Sequence, residues 1–299
     1  MLIHFPGQHS LPSPDGALIA TLQQTSLAIS SYTGENFRTI PLPPEFVARC
    51  RFIRWSRCGD IPGEAFQRRG DDEEQRPCNR ILLADDDTVR LHDVNNPIWS
   101  ALIERAASNL GRIADVAFGY GPNEFLVFSD FGVKLTIRSL TTSRGVEIRD
   151  PKYTVRCYSF RPRTGHMAIL TRPATQDILM LLSPSKHELI TSVELPTVDA
   201  QEVSWSSDGC WLAIRDAASS GHKVLIYTAD GQLFKTYLGV VDDVSIRLGL
   251  KRMAWNPSNG CLLLGDYNDD VTILSKNTVI IKWQNVSCSV LTSSSFPPL

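Results

Sequence analysis

Five times along the chain a short apolar strand ends in an aromatic residue that leads into a tight turn. The marks are Arg51-Phe52-Ile53-Arg54-Trp55, Asp115-Val116-Ala117-Phe118, Cys157-Tyr158-Ser159-Phe160, Val203-Ser204-Trp205 and Met253-Ala254-Trp255. A sixth, degenerate copy opens the chain as Leu11-Pro12-Ser13-Pro14-Asp15-Gly16. The aromatics Trp55, Phe118, Phe160, Trp205 and Trp255 are 63, 42, 45 and 50 residues apart, and the first interval falls to 43 when 60–79 is set aside as an insertion. A recurrence of about 40–45 residues with four strands per unit predicts the blades of a β-propeller. The expected fold is therefore all-β, with about six blades in a single domain over 1–299. Such a ring is usually a platform for partners, so the repeat itself argues against an enzyme.

Each unit reads as four strands joined by turns, and the fifth is the cleanest. Its strands are expected at 202–205, 210–215, 223–228 and 232–237. Ser206-Ser207-Asp208-Gly209 and Ala229-Asp230-Gly231 supply turns in which glycine permits positive φ. Val224-Leu225-Ile226-Tyr227 is apolar throughout rather than alternating, as expected where neighbouring blades cover both faces. In the second unit His92-Asp93 stands where the Trp-Asp dipeptide of WD repeats would close the third strand, which makes Asp93 a further repeat mark. The first unit has a poor first strand, because Pro6 and Pro12 fall in it.

Two segments break the rhythm. The stretch 60–79 is polar, carries charges of both signs and is expected to be a mobile surface loop. A longer connection at 240–248 leads into the sixth unit. The stretch 284–299 reads as a Ser- and Pro-containing tail, and no seventh turn signature precedes Leu299. Two arrangements stay open, a loose six-blade arc or, preferred, a shortened version of a longer propeller.

Composition narrows the function. Hydrophobic residues make up 42% and charged residues 21%, ordinary for a soluble globular chain. A net charge of -2 gives no bulk basic footprint, so neither nucleic acid nor a membrane surface is expected as a partner. No apolar run reaches about 18 residues, and the N-terminus lacks the basic leader of a signal peptide. Seven cysteines without a C-x-x-C pair are expected as free thiols in a reducing compartment, with Cys157, Cys210 and Cys261 inside strands.

Candidate chemistry is sparse. Asp85-Asp86-Asp87 has the acidic character of a divalent-cation site. It falls, however, on the turn before a third strand, a position held by Asp130 in unit three and Asn268-Asp269-Asp270 in unit six. A feature that recurs at one blade position is better explained by turn hydrogen bonding. The six histidines show no zinc spacing, and no serine-hydrolase elbow or phosphate-binding glycine loop occurs. No cofactor is expected. Trp55, Trp205 and Trp255 end first strands at matching positions and are expected in the core, whereas Trp211 follows a turn and suits an interface.

Units five and six carry more than general propeller grammar. The run Trp205-Ser206-Ser207-Asp208-Gly209-Cys210-Trp211-Leu212-Ala213-Ile214-Arg215-Asp216 is followed by Lys223-Val224-Leu225-Ile226-Tyr227 and Asp230-Gly231-Gln232-Leu233. The chain resumes as Leu248-Gly249-Leu250-Lys251-Arg252-Met253-Ala254-Trp255-Asn256-Pro257-Ser258 and closes on Gly265-Asp266-Tyr267-Asn268-Asp269-Asp270-Val271. This succession resembles the family of WD repeat-containing protein eight, of centrosomes and fungal spindle pole bodies. The Leu-Gly-Leu-Lys lead into Ala-Trp-Asn-Pro-Ser is the most specific element, because ordinary WD repeats do not require it. The likeness is good over 197–274 and collinear through the earlier units.

The resemblance implies a non-enzymatic scaffold in the cytoplasm and cytoskeleton, at the spindle pole body or another microtubule-organising centre. It implies a coiled-coil microtubule-anchoring protein and, in fungi, a minus-end-directed kinesin as partners, together anchoring microtubule minus ends in the mitotic spindle. That family has further repeats and lacks so long an insertion as 60–79, and it offers no catalytic residues to carry over. The candidate partner contacts are Trp211 and, in the long connection, Asp242, Asp243 and Arg247. The rival reading is an adaptor in ubiquitin ligation or RNA processing, since fold does not fix function. A remoter one is a calcium-dependent propeller hydrolase, which needs carboxylates converging at the axis, whereas here they lie mostly on turns.

Overall fold

The computed structural model describes residues 9–14, 16–56, 80–108, 110–121, 123–142, 145–154, 156–238, 249–267, 269–275 and 280–283. The insertion 60–79, the connection 240–248 and the tail 284–299 lie outside the described residues. The chain divides into two compact units, Met1–Asp150 and Pro151–Leu299.

Among the described residues the strands form six four-stranded antiparallel sheets, each in chain order, the strand order of propeller blades. Unit one holds three. The first sheet is β1 (His9–Pro12), β2 (Leu18–Leu22), β3 (Ser26–Ser31) and β4 (Asn36–Pro41). A short helix α1 (Pro44–Arg49) leads into β5 (Phe52–Trp55), β6 (Arg80–Ala84), β7 (Thr88–Asp93) and β8 (Ser100–Glu104). One turn of helix, α2 (Arg105–Ser108), precedes β9 (Ile113–Phe118), β10 (Glu124–Ser129), β11 (Lys134–Ser139) and β12 (Gly145–Arg149).

Unit two holds the other three. They are β13 (Tyr158–Phe160), β14 (Met167–Thr171), β15 (Ile178–Leu182) and β16 (Leu189–Glu194); β17 (Glu202–Trp205), β18 (Trp211–Arg215), β19 (Lys223–Thr228) and β20 (Leu233–Leu238); and β21 (Leu250–Trp255), β22 (Leu262–Asp266), β23 (Val271–Leu274) and β24 (Ile280–Trp283).

Period-two geometry explains why the middle strands read as unbroken apolar runs. Along β6, Ile81 and Leu83 join a core with Ala20, Leu22 and Ile29 of the first sheet. Their neighbours Leu82 and Ala84 point the other way, into a core with Val116, Phe118 and Val127 of the third sheet. All four are fully buried. A strand covered on both faces cannot alternate apolar with polar residues.

The first strand of the first sheet is the short β1, which ends on Pro12 and is paired on one side only, where a missing amide is tolerated; Pro6 lies outside the described residues. One expectation is corrected. None of Cys157, Cys210 and Cys261 lies within a strand: each is the residue just before β13, β18 or β22. Only Cys157 of the three is buried, and Cys210 is exposed. The helix α1 carries no helical period of its own in so short a run, yet it buries Phe46 and Val47 beside the first sheet.

Candidate interaction surfaces

In an antiparallel four-stranded blade, the turn from second to third strand lies at the same end as the loop that enters the first strand. In both units these two loops are knit together by aspartates. In unit one the Asp85 carboxylate accepts from the amides of Asp87 and Thr88, at 2.9 and 2.7 Å, and from the Thr88 hydroxyl at 3.0 Å. This is turn hydrogen bonding of the expected kind. The Asp85 side chain is buried, and Arg49 at the end of α1 pairs with it at 3.1 Å.

The neighbouring acids face outward and gather arginines. Asp86 pairs with both Arg51 and Arg112, and Asp87 pairs with Arg105 at 3.1 Å. The hydrogen bond from Arg112, and then that from Arg51, hold the Asp86 carboxyl below the usual carboxylate range. Backbone bonds fix the same neighbourhood: the Ile113 amide donates to Asp86 O at 3.0 Å, and the Asp130 amide to Arg112 O at 3.0 Å.

The matching turn of the third sheet is conformationally unusual. Asp130, Phe131 and Gly132 have φ of 52°, 62° and 87°, three successive residues in the left-handed region. Left-handed backbone is unfavourable for a residue with a bulky side chain. The turn presents Phe131 to solvent, 88% exposed, with Val133 54% exposed beside it. Gly111 lets the Asp130 carboxylate lie against its backbone, where a Cβ would overlap it.

In unit two, the loop entering the fifth sheet is held by aspartates from two blades. Asp177, just before β15, accepts from the Ala200 amide at 2.6 Å and the Thr197 hydroxyl at 2.8 Å. Asp216, just after β18, accepts from the amides of Val198 and Asp199. Lys152 lies between, with its ammonium 2.8 Å from Asp177 and also paired with Asp199. Burial alone would raise the Asp216 carboxyl, but the amides of Asp199, Val198 and Ala217 outweigh it and leave it below its ordinary range.

The repeat marks sit as follows. Trp55, Phe118, Phe160 and Trp205 are buried, and Trp255 is half-buried. Two indoles stitch adjacent sheets together, Trp55 Nε1 donating to Leu11 O at 3.0 Å and Trp255 Nε1 to Ser204 O at 3.1 Å. Arg161 stacks over the Trp205 ring, 5.4 Å from its centroid. Asp93 accepts from the amides of Asn95 and Asn96, at 2.9 and 3.0 Å, and pairs with Arg80. Beside it His92 is held to a pKa of about 4, chiefly by burial and then by the charges of Arg38 and Arg90.

Trp211 is half-buried, its ring 4.7 Å from that of Phe234, which is 63% exposed. Trp211 starts β18 and Phe234 is the second residue of β20, both at the blade end opposite the aspartate loops, so they do not meet Asp177 or Asp216. The other expected contacts, Asp242, Asp243 and Arg247, lie outside the described residues. Phe131 and the arginines around Asp86 were missed by sequence reasoning. The aspartates recurring before the third strands of the second, third and sixth sheets were the available signal for that end of the blades. Among the described residues no three His, Cys, Asp or Glu side chains are grouped to hold a metal ion, and no helix is long and apolar enough to cross a membrane.

No family model matches the chain. It is 26% identical over 270 residues to the mouse (Mus musculus) WD repeat-containing protein WRAP73, spanning 89% of this chain and 52% of that protein. It is 29% identical over 221 residues to an uncharacterized WD repeat-containing protein of Schizosaccharomyces pombe, spanning 73% of this chain and 44% of that one. The chain thus spans about half the length of the curated relatives it matches. Among solved structures it is similar to the Dos1 propeller, with a TM-score of 0.57 at 10% identity over 91% of this chain and 68% of that one. It is likewise similar to the Cps50 (Swd1) β-propeller domain of Myceliophteria thermophila, with a TM-score of 0.54 at 12% identity over 96% and 89%. For a eukaryotic initiation factor the TM-score is 0.60 at 9% identity, over 93% and 65%. At such identities the three structures speak for the fold alone.

Proposed function

We propose, from the premise that this chain is a WD-repeat β-propeller protein, that it is a non-enzymatic scaffold at the spindle pole or centrosome. In this reading it helps anchor microtubule minus ends and organise the mitotic spindle. The observation that carries it is the run through units five and six, from Trp205 to the Gly249-Leu250-Lys251 lead into Ala254-Trp255-Asn256-Pro257-Ser258, with its resemblance to the spindle-pole WD-repeat family. Gly249 supports treating that lead as a structural necessity. Its φ is +78°, and an added Cβ would lie 2.7 Å from Ala218 Cα. The partners expected are a coiled-coil microtubule-anchoring protein and a minus-end-directed kinesin.

The test is to tag the chain at its own locus, image it against a spindle-pole marker and identify what co-purifies. Pole localisation with recovery of a coiled-coil anchoring protein supports the reading. Diffuse or nuclear signal with ligase or RNA-processing subunits overturns it in favour of another adaptor role.

A further inference from the structure

We propose that Pro41, Pro43 and Pro44, at the passage from β4 into α1, dock a protein module whose aromatic-lined groove grips polyproline-II backbone. The site goes beyond the spindle-pole reading and does not depend on it, because its test uses purified proteins alone.

Three prolines stand within the four residues 41–44, and all three are exposed. A pyrrolidine ring fixes its own φ, and each proline also biases the residue before it toward extended backbone. Pro43 has φ of -59° and ψ of 133°, the polyproline-II conformation. Three residues per turn bring Pro41 and Pro44 to one edge of such a helix, with Pro43 beside them. The intervening Leu42 is 5% exposed and joins a core with Phe46 and Val47 of α1. Its amide donates to Thr25 O at 2.9 Å, and the Val47 amide to Pro43 O at 3.0 Å. The proline ridge is thus held from beneath, and this pre-ordering removes part of the cost of binding.

Stability does not account for all three rings. Pro44 is the first residue of α1, where a missing amide costs nothing. Pro41 ends a strand paired on one side only, where it blocks edge pairing. Pro43, however, occupies the N-cap, where Ser, Thr, Asp or Asn would accept from a first-turn amide, and it makes no side-chain cap hydrogen bond. Its ring instead adjoins that of Pro44 at the surface, apolar area of the kind an aromatic-lined groove takes up. Arg38, three residues before Pro41, donates to the carbonyls of Asp93 and Val94. Recognition therefore falls on the rings and not on a flanking cation.

The experiment presents the purified full-length chain to a panel of immobilised WW and SH3 domains, modules with such grooves. Each domain that binds is then titrated with the chain, with and without a free oligoproline peptide as competitor. At least one domain should bind, and oligoproline should displace the chain from it. Affinity should fall about tenfold in Pro43→Ser and several-fold in Pro41→Thr. Pro43→Ser supplies the missing cap while restoring freedom to the unfolded chain, so its melting temperature should change little. Threonine suits an edge strand, so Pro41→Thr should also fold, which separates lost docking from lost folding. Failure of every domain to bind, binding that oligoproline does not displace, or undiminished binding by either variant overturns the inference. Loss of binding in Pro297→Ala in place of Pro43→Ser assigns the contact to 284–299 and overturns it as well.

Discussion

The Val198 amide donates to both carboxylate oxygens of Asp216, at 3.1 and 3.0 Å, although 18 residues separate them. Asp216 is buried, and it also accepts from the amides of Asp199 at 2.9 Å and Ala217 at 2.8 Å. Replacing it by alanine leaves three amides without their acceptor. Asp216→Ala should cost roughly 2–4 kcal/mol in urea unfolding.

The same carboxylate sets an acid limit. Its folded pKa lies below its ordinary value, so its contribution is fully present above the unfolded value of about 3.9 and is lost as pH falls through the folded one. Asp216→Asn should flatten stability against pH below about 3.9 while leaving the slope nearer neutrality unchanged.

His92 acts over a higher window. Its folded pKa of about 4 lies below the unfolded value, so the unfolded chain binds the extra proton first as pH drops. Between about 6.5 and 4, stability should therefore fall with falling pH, by on the order of 1–2 kcal/mol after allowance for partial solvent screening. Denaturation midpoints across that range, compared with His92→Gln, check it. An unchanged slope in the variant would remove His92 as the cause.

Gly249 combines positive φ with a close approach to the Ala218 backbone. Gly249→Ala should lower stability by about 2 kcal/mol or more, because neither the dihedral nor a main-chain neighbour can yield cheaply. Gly221→Ala provides the comparison, since Gly221 also has positive φ but open space around an added Cβ. If the two variants are equally destabilised, the contact with Ala218 is not what the glycine serves.

Trp211 and Phe234 should be coupled by about 1 kcal/mol in a double-mutant cycle of alanine variants. Coupling near zero would mean that the tilted ring pair contributes nothing beyond the area each buries.

Much of the fold was legible because it rests on local rules. The Asp208-Gly209 and Asp230-Gly231 turns bracket the strands of the fifth sheet, and both glycines do have positive φ. The run Val224-Leu225-Ile226-Tyr227 fell within β19 because two-faced burial is written into a strand as unbroken apolarity. Boundaries slipped by a residue at Cys210 and Gln232, where a turn hands over to a ladder. The surface was far less legible. Arg51, Asp86 and Arg112 span 62 positions of sequence and meet only because consecutive blades bring turn and entry loop to one end.

The sequence by itself determined that the chain would be built of four-stranded repeats, because periodicity, apolar runs and turn residues act over a few positions each. It also located the turn aspartates Asp85, Asp86, Asp87, Asp130, Asp269 and Asp270, since turn hydrogen bonding is a neighbour effect. Only the tertiary structure marked Asp216 and decided what Asp86 holds. Asp216 binds the loop before its blade and Asp86 gathers arginines from two flanking segments, contacts that carry no fixed spacing along the chain. The opening repeat thus fixed the blades, and packing between blades decided which side chains they present.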